Sequence, residues 1–191
     1  MATDSIEDRA FEKEEFSSNP LAAKEFENCV FRNCDFANAD LTGIVFIECE
    51  FNGCNLSLAK LKGTSFRDVR FKDCKMLGLR FDQCHTFGLE FRFDNCILNH
   101  STFFQLKIRK TIFSKSQLLE VDFNTADLTG ASFADCNLDR AYFENTILEK
   151  TDFTTATNYA LDPENNHIKK ARFSTEGLPG LLSKYDIVIE D

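Results

Sequence analysis

Large apolar residues recur at every fifth position through most of this chain. One series runs from Phe31 to Phe81, and a second, two residues out of phase, runs from Phe93 to Phe153; no polar residue interrupts either series. A period of five matches neither the 3.6 residues of a helical turn nor the two residues of a strand. Each five-residue unit is therefore predicted to be one step of a repeated structure.

A second, longer period predicts the number of units in one coil. Phe31, Phe51 and Phe71 recur at a spacing of 20, and several cysteines repeat at the same spacing. Like residues stack when successive coils lie in register, so we predict four units per coil and a square parallel solenoid with strands about 4.8 Å apart. The residue two positions before each anchor is mostly small, and both are predicted to point inward. The predicted core anchors include Phe31, Phe51, Phe71, Phe103, Phe123 and Phe143.

Three segments are predicted along the chain. Residues 26–157 form the solenoid, with a two-residue insertion at 82–92 that is either a functional loop or a tolerated adjustment of one corner. Residues 1–25 keep the apolar spacing without small neighbours, which predicts a partial first coil or an irregular cap over an open edge. Residues 158–191 are predicted to be a C-terminal capping and dimerisation element.

The C-terminal segment carries more apolar side chains than one coil end can bury. A short helix is predicted over Ser174–Tyr185, although Pro179 weakens it, and a short strand over Ile187–Ile189. The surplus apolar surface is predicted to pack against a second copy of the chain in a two-fold dimer. The residues assigned to this interface are Phe173, Leu178, Leu181, Leu182, Ile187, Val188 and Ile189.

The charge of the chain is uneven. The net charge of −9 argues against a protein that binds nucleic acid directly by neutralising phosphates. Residues 41–120 carry a net charge of +4 and residues 121–191 one of −7. Acids at outward positions of the last coils spread over all four sides, so they are either a solvated surface or a surface for a basic partner. These acids are Asp122, Asp127, Asp135, Asp139, Glu144, Glu149 and Asp152.

No motif in the chain predicts an active site, a cofactor or a metal. All eight cysteines fall at the small inward position, which favours small hydrophobes filling the corners over a metal site or a disulfide ladder. His85, His100 and His167 are scattered, and surface or cap positions are expected for them. No apolar run approaches the length of a membrane span and the acidic N-terminus has no signal-peptide core, so a cytoplasmic protein is expected.

The repeat resembles that of the pentapeptide-repeat family. The family's unit is a small residue, Asp or Asn, Leu or Phe, a polar residue and Gly, and residues 39–43 (Ala-Asp-Leu-Thr-Gly) and 126–130 (Ala-Asp-Leu-Thr-Gly) match it fully. The resemblance covers about two thirds of the chain. It implies an all-β protein, a right-handed quadrilateral parallel β-helix, here with a small C-terminal helix-plus-strand cap.

One branch of the family looks more similar than the others. The stretches 55–58, 70–78 and 168–174 look like the albicidin-resistance proteins, which are grouped with the Qnr, MfpA and microcin-immunity types. That resemblance implies a homodimer formed through the C-terminus, with Phe173 at the interface, that mimics DNA and protects DNA gyrase from an antibiotic or toxin. The positively charged middle and the short insertion depart from this picture. A generic repeat scaffold for another protein partner therefore remains the alternative.

Overall fold

The five-residue units form the sides of a four-sided solenoid in the computed structural model, which describes residues 4–190. Pairing along the rod is parallel throughout, and most partners are 20 positions apart. The predicted quadrilateral parallel β-helix is confirmed. The strands are Ser5–Glu7 (β1), Ala10–Glu12 (β2), Glu25–Glu27 (β3), Val30–Arg32 (β4), Val45–Ile47 (β5), Glu50–Asn52 (β6), Ser65–Arg67 (β7), Val69–Lys72 (β8), Phe91–Asp94 (β9), Ile112–Ser114 (β10) and Ser132–Ala134 (β11).

We number the four sides by their anchors in chain order. Side 1 carries Phe26 and its successors one coil apart, side 2 Phe31, side 3 Phe36 and side 4 Leu41. Strands β1, β3, β5 and β7 form a sheet on side 1 that ends at β7, whereas β2, β4, β6, β8, β9, β10 and β11 form a longer sheet on side 2. On sides 3 and 4, isolated parallel bridges join each coil to the next.

The strands are short because the chain turns a corner after nearly every anchor. The residue two positions after most anchors has a positive φ, as at Asn33 (+52°) and Gly53 (+66°). A left-handed conformation disfavours residues other than Gly, Asn and Asp, which explains why these types recur at the corners. At Gly53 a side chain would also collide with the coil above, since a Cβ there would lie 2.5 Å from Asn33 Oδ1.

Stacked phenylalanine rings fill much of the interior. The six predicted anchors are between 0 and 7% exposed. On side 2 the rings of successive coils stack face to face, with centroids 4.7 Å apart for Phe31 and Phe51 and 5.0 Å apart for Phe113 and Phe133. This column contains Phe11, Phe31, Phe51, Phe71, Phe93, Phe113, Phe133, Phe153 and Phe173.

The small inward residues do more than fill corners. The Cys74 thiol donates a hydrogen bond to the Phe51 carbonyl of the coil above (3.2 Å), and the Thr146 hydroxyl donates to the Phe123 carbonyl in the same way (3.0 Å). All eight cysteines are buried and free. Burial raises the pKa of Cys136 to about 12, so this thiol stays protonated at neutral pH. Cys, Ser and Thr share the position because each is small and can donate.

The two extra residues lie in a loop on side 1. Across it the register shifts to 22, since Phe71 pairs with Phe93. A single 3-10 turn, Phe81–Gln83, enters the loop, and residues 85–88 are exposed. Gly88 stands where side 1 would place an anchor. Phe91, at the small position of the next unit, is buried, and its ring contacts Phe81, Phe93 and Phe103.

The coil pattern extends into both end segments. Residues 4–25 include two paired strands, and Phe11 and Phe16 are buried as anchors. At the other end pairing continues past residue 157, to Arg172. The C-terminal helix (α1) is Pro179–Leu182, followed by a 3-10 turn, Ser183–Tyr185. Residues 1–3 and 191 of the two predicted end segments lie outside the described range.

The predicted strand over Ile187–Ile189 is wrong for the single chain, where this segment has no regular structure. A strand is defined by pairing with a neighbouring strand, and residues 187–189 pair with no other part of the described chain. The predicted helix is also too long, because residues before Pro179 form turns and Pro suits the first helical position.

Candidate functional site

Asp127 does not offer its carboxylate to a partner. Its side chain is buried beneath Arg109, whose Nε and Nη2 each lie 2.7 Å from Oδ2, and Oδ1 accepts a hydrogen bond from the Thr129 hydroxyl. Burial alone would raise the pKa of this carboxyl. The hydrogen bonds from Thr129 and the Arg109 guanidinium outweigh burial, so the pKa lies below its usual range. The expectation that all seven acids point outward is therefore wrong for Asp127.

The other six predicted acids are exposed or half-buried. Asp152 forms an ion pair with Arg172 (3.1 Å). Asp122 accepts a hydrogen bond from the Asn124 amide within its own turn (2.9 Å). Within the described range, no ion pair engages the remaining four: Asp135, Asp139, Glu144 and Glu149.

Side 4 of the last coils combines negative charge with exposed aromatic rings. Asp122 precedes the Phe123 anchor, and Glu144 follows the Phe143 anchor one coil further on. Tyr142 is 52% exposed on the same side. Sequence reasoning missed this ring, and also Phe104 at 40% exposure. The available signal was a large aromatic residue directly beside an anchor, where most units have a polar one.

The predicted dimer residues divide into two groups. Phe173 stacks on Phe153 of its own chain (5.3 Å, 5°), and Leu181 is partly buried against the same core. These two side chains therefore close the coil end. The other five are exposed: Leu178, Leu182, Ile187, Val188 and Ile189.

Two glycines and a lysine fix the C-terminal segment on the last coil. Tyr159 is buried against the C-terminal segment. A Cβ added to Gly180 would lie 2.2 Å from the carbonyl oxygen of Tyr159, and a Cβ added to Gly177 would clash with the Tyr159 hydroxyl. Lys184 donates to Asp162 on side 4 (2.8 Å) and also to Glu164. The segment is thus held at a defined position, and five of its apolar side chains remain exposed: Leu178, Leu182, Ile187, Val188 and Ile189.

The three histidines are not brought together at one site. His85, His100 and His167 are all exposed and lie on different coils, as expected. Among residues 4–190, no three His, Cys, Asp or Glu side chains come together in a way that could hold a metal ion. A cavity of about 470 Å³ is an open cleft between the last coil and the C-terminal segment. No helix within that range is long and apolar enough to cross a bilayer.

Comparisons with known proteins agree with this architecture. The family model for pentapeptide repeat regions matches residues 24–93, and the model for pentapeptide repeats matches residues 116–154. The chain belongs to the pentapeptide-repeat family. Together the two matches cover more than half of it, on both sides of the loop. A search of curated protein sequences found no match.

Solved structures share the fold of this pentapeptide-repeat protein over nearly its whole length. A trypsin-treated form of QnrB1, a plasmid-mediated fluoroquinolone resistance protein, is 19% identical with a TM-score of 0.59; the match covers 98% of this chain and 100% of that one. A second trypsin-treated QnrB1 form is 18% identical with a TM-score of 0.57, covering 98% and 99%. At this identity the likeness shows the fold alone.

Proposed function

We propose that this protein is a homodimeric, DNA-mimicking binder of DNA gyrase that protects the enzyme from an antibiotic or a toxin. The observation that carries the proposal is the extent of the likeness to QnrB1, a fluoroquinolone resistance protein, which spans the solenoid and the C-terminal segment together. The proposal includes a cytoplasmic location, where gyrase acts. It includes no catalytic role and no direct binding of nucleic acid.

The surface charge supports DNA mimicry at the C-terminal half. Glu144, Glu149 and Asp139 form no ion pair in the described range, so their charges are open to a basic partner. A narrow rod with such carboxylates fits a basic channel built for a duplex, and the attraction would weaken with salt. Asp127 and Asp152 contribute less, because Arg109 and Arg172 neutralise them.

The exposed apolar C-terminus supports the homodimer. Val188 is 86% exposed and Ile187 is 55% exposed, which is unusual for residues of this type in a monomer. An extended segment without a pairing neighbour can pair with the same segment of a second chain around a two-fold axis. In that arrangement the two acidic halves meet at the centre of the dimer.

A supercoiling assay tests the proposal. Purified protein is added to gyrase with and without a fluoroquinolone, at low and high salt. We expect it to rescue supercoiling from the drug, or to inhibit gyrase by itself in a salt-sensitive way. No effect at micromolar protein would reject a gyrase partner and favour the generic scaffold, which the mixed charge of the middle coils also suits.

Two matched variants locate the acidic surface. Glu144→Gln removes a charge without an ion-pair partner, whereas Asp82→Asn removes one already neutralised by Arg80 (2.7 Å). Both residues directly follow an anchor on side 4. We expect Glu144→Gln to weaken the gyrase effect a few-fold and Asp82→Asn to leave it unchanged. Val188→Asp should produce a monomer in light scattering. The same variant in the supercoiling assay then tests whether the effect on gyrase needs the dimer.

A further inference from the structure

Backbone pairing along side 1 is interrupted once between its first and last coils. In the coils above the loop, the amides of Val45 and Ser65 donate to the preceding coil at 2.8 and 2.9 Å. In the coils below, Asp127 and Ile147 do the same at 2.8 and 2.9 Å. Lys107 occupies the equivalent place directly below the loop, yet within residues 4–190 its amide has no acceptor.

The loop causes this gap by turning back on itself. His85 still donates to the Thr64 carbonyl above (2.8 Å), but no backbone hydrogen bond of the described chain joins residues 85–89 to the coil below. A cavity of about 350 Å³ lies between the end of the loop and the coil below, and Lys110 is the one residue of the proposed site that lines it. Leu89 and Glu90 line it from the loop, and Arg109 and Lys110 from the coil below.

The surroundings of the gap are cationic and apolar. Phe87 projects from the loop and is 75% exposed. Lys107 and Lys110 are exposed and form no ion pair in the described range. Arg67, in the coil above, packs next to Gly88 and has a buried Nε that lacks a partner. The one acid at the cavity, Glu90, lies 3.8 Å from Arg92.

We propose that this gap, together with Phe87, Lys107 and Lys110, binds an extended acidic segment of a protein partner. A peptide backbone supplies the carbonyl that the Lys107 amide lacks, as in strand addition at an open sheet edge. Carboxylates of the segment pair with Lys107 and Lys110, and an apolar side chain packs against Phe87. This site is separate from the acidic side 4 surface. The partner is defined only by its acidic, extended segment, so the proposal does not depend on which protein it is.

The same observations disfavour nucleic acid as the occupant. Binding a phosphate backbone needs a contiguous series of cations, because affinity comes from neutralising several phosphates at once. Here Glu90 lies within the cavity and Asp127 already holds Arg109. The charges at the cavity are therefore too few and too mixed in sign to follow a phosphate backbone.

A peptide-binding measurement tests the proposal. The probe is a fluorescein-labelled peptide of alternating Glu and Leu, followed by fluorescence anisotropy, beside its Gln-Leu counterpart and a single-stranded oligothymidylate. We expect the Glu-Leu peptide to bind most tightly. The double variant Lys107→Glu/Lys110→Glu should weaken binding about tenfold or more. Tighter binding of the oligonucleotide, or equal binding of the Gln-Leu peptide, overturns the proposal.

The repeat offers a matched control. Lys110, Lys150 and Lys170 occupy the same corner on side 1, with φ of +60°, +59° and +61°. The double variant Lys150→Glu/Lys170→Glu changes the net charge equally in coils whose pairing is intact, so it should leave the affinity unchanged. An equal loss in both double variants indicates non-specific attraction and contradicts a site at the gap.

Amide hydrogen exchange gives a readout that does not depend on substitutions. In the free protein we expect the Lys107 amide to exchange fast while those of Asp127 and Ile147 are protected. Saturating Glu-Leu peptide should protect Lys107 and leave the other two unchanged. Fast exchange at Lys107 in the bound state rules out strand addition. Phe87→Ser alters only an exposed side chain. It should weaken binding of the Glu-Leu peptide without lowering the melting temperature of the protein.

Discussion

The coils before and after the loop fill the same square interior in two different ways. Before it, phenylalanines dominate sides 1 and 2, which are adjacent, and rings such as Phe26 and Phe31 meet edge to face at 5.7 Å. After it, they occupy sides 2 and 4, which are opposite, and Phe103 meets Phe113 across the core, also at 5.7 Å. Aliphatic anchors take the two remaining sides in most coils of both runs.

This difference shows that the coil constrains interior volume more than it constrains which side holds the rings. Two aromatic columns and two aliphatic columns fit in either arrangement. The loop is the point of exchange, since the column on side 1 ends at Phe66 and the column on side 4 begins at Phe81. Phe91 fills the interior where Gly88 leaves side 1 without an anchor.

The substitution with the largest expected effect tests whether both arrangements depend on the continuous phenylalanine column on side 2. Phe51→Asp buries a carboxylate between Phe31 and Phe71, and an unpaired buried charge costs several kcal/mol or more. We expect the variant to lose cooperative thermal unfolding, measured by circular dichroism. Phe51→Leu is the control and should remain folded. A normal melting curve for the Asp variant would falsify the inward assignment.

A second substitution tests the point of exchange itself. Phe91→Ala should lower the free energy of unfolding by about 3–5 kcal/mol, because it leaves a cavity among Phe81, Phe93 and Phe103. Val69→Ala removes a side chain from the paired position one coil above and should cost much less. Chemical denaturation of both variants measures the difference. Equal losses would mean that Phe91 does not replace the missing anchor.

Side 1 carries the Arg109–Asp127 ion pair in the coils after the loop, and the strength of this pair depends on pH. The folded pKa of Asp127 is depressed, so its stabilisation is present above the unfolded pKa and is lost as pH falls through the folded value. Asp127→Asn should cost about 1–3 kcal/mol at neutral pH and almost nothing in strong acid. Unfolding is followed in urea across the pH range. A constant cost at every pH contradicts the ion pair.

The smallest effect concerns the inward donors that both runs share. Cys74→Ser keeps a donor to the Phe51 carbonyl and should change stability by less than about 1 kcal/mol. Thr146→Val keeps the shape and removes the donor to the Phe123 carbonyl, so it should cost about 1 kcal/mol or more. Melting temperatures of the two variants are compared. The idea of a shared donor position fails if Cys74→Ser is the costlier change.

The fold could be predicted from the sequence because the anchors report the geometry directly. The spacing of five gives the number of residues on each side of the coil, and the recurrence of phenylalanine at a spacing of 20 gives the number of residues in a full coil. The two-residue shift between Phe81 and Phe93 also appears in the structure, as the change of register from 20 to 22. Each of these features depends on residues that are counted along the chain.

The features that escaped prediction depend on contacts that the repeat count does not contain. Asp127 is buried by Arg109, and only the structure shows that arginine folding over it. The Ile187–Ile189 segment has strand-forming residues but pairs with nothing else among residues 4–190. The gap at Lys107 arises because the loop bends back, and a count of inserted residues does not give the direction of a loop.

The corner after each unit fixes the direction in which the next unit faces. Each five-residue unit turns the chain by a quarter, so the number of units between the loop and the C-terminal segment sets the angle between them. Phe93 and Phe153 belong to one column and therefore face the same way. Removing four units would shorten the rod by about 4.8 Å and keep that angle, whereas removing one unit would rotate the two ends against each other.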